Sequence, residues 1–126
     1  MRMLLRAILP NEPANSMVRN GTLESTIKKI LADLKPEAAY FVAADTGERC
    51  AVIVFDMKDS SELPKVAEPW FLSFNAHVTV RPTMNPQDLE AAKPGFERAR
   101  THWKPGFTVP GAASTCVRRR SRVDAG

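Results

Sequence analysis

The sequence predicts an α+β domain built on one antiparallel sheet. Three observations lead there. Four short segments, residues 3–9, 38–44, 50–57 and 77–82, are apolar and rich in β-branched or aromatic side chains, as strands are. Two longer segments between them repeat apolar residues at helical spacing. The 126 residues fit one domain, long enough to bury a core without disulfides or a metal.

The elements follow in chain order. Residues 3–9 end at Pro10 and read as a strand with Arg6 on one face. Residues 14–18 suggest one short helical turn. Leu23, Ile27, Ile30, Leu31 and Leu34 then share one helix face, with Thr22 placed to cap its start and Pro36 to stop it. Residues 38–44 and 50–57 flank the turn Asp45-Thr46-Gly47-Glu48 and form a hairpin. Its second strand, apolar on both faces from Ala51 to Phe55, should be central in the sheet.

Asp59-Ser60-Ser61 opens a second helical pattern, in which Leu63, Val66, Ala67, Trp70, Phe71 and Phe74 share a face. Pro69 falls inside it, which predicts a kink near Lys65 and Val66. The run from His77 to Pro82 alternates: Val78 and Val80 face one way, and His77, Thr79 and Arg81 the other. Asn85-Pro86 opens a third helix as a cap followed by a first-turn proline, lined by Leu89, Ala92, Phe96 and Ala99 and interrupted at Pro94-Gly95.

Composition excludes more than it names. Hydrophobic residues make up 44% and charged residues 25%, values that rule out a collagen, a disulfide scaffold or a membrane span. The net charge is +4, and four arginines against one aspartate in the last nineteen residues account for +3 of it. The body is nearly neutral and offers no electrostatic footprint for nucleic acid. Cys50 and Cys116 form no C-x-x-C motif, and Cys50 reads as a buried inert thiol. The N-terminal residues are too short and interrupted for a signal segment, so a cytoplasmic, reduced setting is expected.

The order β-α-β-β-α-β is the ferredoxin-like split βαβ arrangement, with helices on one sheet face. The other face would carry apolar side chains together with Arg6, His77, Thr79 and Arg81. Such a half-apolar face is often closed by a second copy, so a homodimer through the open sheet face is expected. The domain is assigned to residues 1–103, and residues 104–126, without periodicity and ending in an arginine cluster, to a disordered basic tail.

Lys35-Pro36-Glu37-Ala38-Ala39-Tyr40-Phe41, the run from Ala67 to Ala76, and V-x-V-R-P-x-M-x-P-x-D-L from Val78 to Leu89 resemble a bacterial family of small uncharacterised proteins. The resemblance spans roughly residues 1–100. It implies the dimeric α+β-barrel variant of the ferredoxin-like fold. The wider superfamily includes cofactor-independent monooxygenases, isomerases and haem-degrading enzymes. Haem-degrading members combine a first-strand Asn, a helical Trp and a helical His; here only Trp70 corresponds.

Two groups of residues are candidates for function. Trp70, Phe71 and Phe74 either pack the core or wall a pocket between their helix and the sheet, with Tyr40 facing the same space. His77, Thr79 and Arg81 either line the dimer interface or supply a general acid/base and an anion grip. Arg6 shares that face, where it needs a partner such as Asp56 or an anionic ligand. The ligand-binding set is therefore Tyr40, Trp70, Phe74 and Arg6, and the catalytic candidates are His77 and Arg81. No cofactor, metal site, nucleic acid or membrane partner is expected. The expected function is binding of a small hydrophobic or aromatic ligand. The alternative is a cofactor-independent monooxygenase or isomerase acting on a small aromatic or polyketide-like substrate.

Overall fold

A computed structural model describes residues 1–103 and 105. The tail expected over 104–126 therefore lies, Pro105 apart, outside the described residues, as does Cys116. The chain divides into two compact units, Met1–Met84 and the segment from Asn85 onward.

The first unit is α+β. Strand β1 (Arg2–Leu9) is followed by α1 (Asn11–Arg19), α2 (Leu23–Leu34), β2 (Ala38–Ala43), β3 (Arg49–Asp56), a 3-10 turn (Ser60–Glu62), α3 (Leu63–Phe74) and β4 (His77–Pro82). The four strands form one antiparallel sheet in the order β2-β3-β1-β4. The central pair is β1 and β3, as the apolar character of both faces of residues 51–55 predicts.

Alternation along the strands decides which side is core. Met3, Leu5, Ala7 and Leu9 of β1 are buried while Arg2, Leu4, Arg6 and Ile8 are half-buried. Leu5 and Ile53 face each other across the ladder and are wholly buried. On this face Ile30 of α2 and Val66, Trp70 and Phe74 of α3 join the sheet residues in one cluster. Trp70 and Phe74 pack with ring centroids 5.7 Å apart, within the range of favourable aromatic pairs.

Several local features depart from the sequence expectations. The single turn expected at 14–18 is a nine-residue helix, because Ala14 and Met17 pack into the core and add tertiary support to a weak local signal. Thr22 stands at the start of α2, but its hydroxyl bonds Asn20 Oδ1 at 2.6 Å and caps nothing. The helix ends when Lys35 turns left-handed, one residue before Pro36. Helix α3 runs from Leu63 to Phe74 with Pro69 inside it, where the apolar spacing of Val66, Trp70 and Phe74 places a helix. The Asp59 carboxylate accepts from the amide and the hydroxyl of Ser61, capping the 3-10 turn. These bonds, the hydroxyl's first, hold its carboxyl below the usual aspartate range.

The second unit contains α4 (Pro86–Ala91) and α5 (Lys93–His102). The break falls at Ala92, earlier than Pro94-Gly95, since Pro94 lacks the N–H that would reach back to Glu90 and its ring crowds that turn. Asn85 and Asp88 form a reciprocal capping box: Asn85 Oδ1 accepts from the Asp88 amide at 2.7 Å, and Asp88 Oδ2 accepts from the Asn85 amide at 3.0 Å. Asn85→Ala is expected to weaken α4 by about 1 kcal/mol. The check is hydrogen exchange at the Asp88 amide, which should quicken by roughly fivefold at that cost.

Candidate functional site

The sheet separates the sequence-predicted residues into two groups. Trp70 and Phe74 lie on the helix-covered side, both with no exposed surface. Tyr40, Arg6, His77 and Arg81 belong to the opposite face, Tyr40 and Arg6 in one cross-strand row and His77 and Arg81 in the rows on either side of it. No pocket shared by Tyr40 and Trp70 can therefore form within one copy.

The open face is built in rows. Val42, Cys50, Ile8 and His77 cross the sheet in one row, then Tyr40, Val52, Arg6 and Thr79, then Ala38, Val54, Leu4 and Arg81. The β2–β3 half of each row is apolar and the β4 end polar. Arg6 is half-buried between Val52 and Thr79 and has no hydrogen-bond or ion-pair partner among the described residues. The expected pairing with Asp56 is not made. Asp56 is in register with Arg2, four residues along the strand and roughly 13 Å away. Its carboxylate instead bonds the Met1 ammonium at 2.9 Å, which holds its carboxyl below the usual range. Arg2 bonds Glu37 at 2.9 Å. His77 and Arg81 are likewise four residues apart on one strand, both exposed, roughly 13 Å from each other.

The helix-covered side holds a feature that the sequence did not signal. Helix α2 stands away from the hairpin, and a groove of about 800 Å³ runs between them. Leu23, Ile27 and Leu31, one turn apart along α2, form one wall. Phe41, Ala43 and Ala51 form the floor and the other wall. Lys28 and Glu24 on the α2 rim pair at 2.8 Å. Their direct hydrogen bond lowers the Glu24 pKa and raises that of Lys28. At the far end Arg49 reaches Asn15 of α1 at 3.0 Å. The groove is thus mostly apolar, with Glu24, Lys28, Glu48 and Arg49 as its charged lining residues. The helical spacing of its α2 residues was legible in the sequence, but their distance from the hairpin was not. Among the described residues no group of three or more His, Cys, Asp or Glu could hold a metal ion. No described helix is long and apolar enough to cross a membrane.

No protein-family model matches the chain, and no curated protein matches it. Among solved structures, a formyltetrahydrofolate deformylase from Pseudomonas putida superposes on 66% of this chain with a TM-score of 0.43 and 11% identity. This chain spans 29% of the length of that enzyme. Rv0793 from Mycobacterium tuberculosis superposes on 67% of this chain and 95% of its own length, with a TM-score of 0.42 and 14% identity.

Proposed function

We propose that this protein binds a small hydrophobic or aromatic molecule in the groove between α2 and the β2–β3 hairpin. The groove itself carries the reading. Its volume of about 800 Å³ lies within the few hundred to a thousand Å³ typical of small-molecule sites. Its lining is mostly apolar, with the charged residues Glu24, Lys28, Glu48 and Arg49 among it, the combination by which such sites join affinity to orientation.

The same reading takes the chain as a ferredoxin-like domain of the dimeric α+β-barrel type, as in the bacterial family it resembles. The sheet order β2-β3-β1-β4 with helices on one side supports this. So does the half-apolar open face, whose Leu4, Ile8, Val52 and Val54 a second copy would cover. The monooxygenase or isomerase alternative has no comparable support, since its stacking pair, Tyr40 and Trp70, lies on two sides of the sheet.

The test uses a fluorescent aromatic probe, 1-anilinonaphthalene-8-sulfonate. Wild-type protein should bind it saturably. Ile27→Asn places an amide in the groove wall and should weaken binding roughly tenfold, the equivalent of burying one poorly paired polar group. Phe71→Asn, on an exposed position of α3 outside the groove lining, should leave binding unchanged. Equal binding by wild type and Ile27→Asn would end the proposal.

A further inference from the structure

We infer that two copies of this chain join edge to edge through strand β2, in antiparallel register centred on Phe41. The inference does not rest on the ligand reading.

β2 is an edge strand, and among the described residues no strand pairs with its outer side. Natural sheets defend such edges with lysine, proline, inward charges or a covering element. The other edge of this sheet is defended in that way, since β4 carries Arg81 and ends in Pro82. β2 reads Ala-Ala-Tyr-Phe-Val-Ala, with no charge and no proline. Three consecutive large side chains on it are exposed: Tyr40 by 67%, Phe41 by 57% and Val42 by 54%. An undefended, apolar edge is a strand-pairing surface.

The turn geometry fixes which backbone groups the edge offers. Ala44 donates its N–H to Glu48 at 2.8 Å, and Gly47 donates back to Ala44 at 2.8 Å. Gly47 has a φ of +89°, so the loop is a three-residue hairpin connection closing on the Ala44–Glu48 pair. Doubly bonded pairs alternate along an antiparallel ladder. Counting back from Ala44 in the observed register, the bonds to β3 fall at Val42, Tyr40 and Ala38. The N–H and C=O groups of Ala39, Phe41 and Ala43 therefore point to the free edge.

These three residues are self-complementary about a two-fold axis. With Phe41 opposite Phe41 of the second copy, Ala39 falls opposite Ala43 and Ala43 opposite Ala39. Every outward backbone group from Ala39 to Ala43 then finds a partner. On the open face the same register sets Tyr40 against Val42 twice, an aromatic and β-branched combination that stabilises cross-strand pairs. On the helix-covered face the two Phe41 rings meet at the mouths of the two grooves, so each copy contributes a wall to the other's groove. Pairing of open faces uses a different surface. A molecule using both would be a tetramer, and one using the edge alone a dimer.

The experiment combines native mass spectrometry with amide hydrogen exchange on the full chain. Wild type should assemble in even numbers. The amides of Ala39, Phe41 and Ala43 should exchange as slowly as those of Tyr40 and Val42, which the β3 ladder protects in any state. Phe41→Lys sets two like charges directly opposite each other, on a side chain exposed enough to leave the fold intact, as circular dichroism would verify. It should halve the assembly mass and weaken association roughly tenfold or more. A monomeric wild type, an assembly in which the Ala39, Phe41 and Ala43 amides exchange freely, or a Phe41→Lys assembly of unchanged mass would each overturn the proposal. Slow amides in a monomer would overturn it as well, because the edge would then be covered by the chain itself.

Discussion

Trp70→Ala is expected to destabilise the first unit by about 3–5 kcal/mol, the usual cost of truncating a buried aromatic residue. Trp70 has no exposed surface and stacks obliquely on Phe74, so the truncation removes dispersion contacts on all sides and leaves a cavity within a dense core. In a domain of 60–100 residues each kcal/mol moves the thermal midpoint by about 4–8 °C. Calorimetry should therefore show the midpoint falling by more than ten degrees. Trp70→Phe supplies the contrast. The indole N–H is buried with no acceptor among the described residues, and such an orphan donor costs about 1–3 kcal/mol. Replacing indole by benzyl removes that penalty while creating a smaller cavity, so the loss should stay below about 2 kcal/mol. Equal losses for the two variants would mean that the indole N–H is paired in solution.

Ile53→Asp should be more damaging still. Ile53 is wholly buried at the centre of β3, in register with Leu5 on one side and Ala39 on the other. A lone carboxylate there has neither water nor a counter-charge, a loss of about 4–5 kcal/mol or more. That approaches the whole stability of an ordinary domain, about 5–15 kcal/mol. The pH dependence has a definite sign. Burial raises the introduced carboxyl's folded pKa above its unfolded value of about 3.9. The penalty is thus greatest above the folded pKa and shrinks as pH falls through it, because the neutral acid is cheaper to bury. The gap in urea midpoint between variant and wild type should narrow from pH 7 to pH 4. Ile53→Asn, which does not titrate, should show a constant gap. A constant gap for the aspartate variant would place that carboxyl in water and Ile53 outside the core.

How much of this was legible beforehand differs element by element. The four strands appear within a residue or two of where the alternation and turn residues put them, because period-two patterning and Gly47 are local signals. The face of α2 was equally plain. The nine residues of α1 were not, since their apolar residues are too few to set a clear helical period, and packing of Ala14 and Met17 against the core supplies the support. The break before Pro94 was foreseen in kind and misplaced by two residues, because a proline disturbs the turn preceding it.

The candidate site was less legible than the fold. Arg6, His77, Thr79 and Arg81 were grouped on one sheet face by strand parity and lie there, whereas Tyr40, expected beside Trp70, falls on that same face with Arg6. Parity cannot say that Trp70 lies beyond the sheet from Tyr40, nor that Asp56 falls opposite Arg2 instead of Arg6. Both depend on which face the helices cover and on the register between strands.

Local pattern alone specified most element types, their order, and the division of each strand into an apolar side and a mixed side. These follow from side-chain periodicity, turn chemistry and proline, all of which act within a few residues. Packing between distant segments set Trp70 in the core, held α2 far enough from the hairpin to leave a groove, and left β2 rather than β4 as the undefended edge. Those facts depend on distances between segments remote in the chain, where packing of whole surfaces outweighs any local preference.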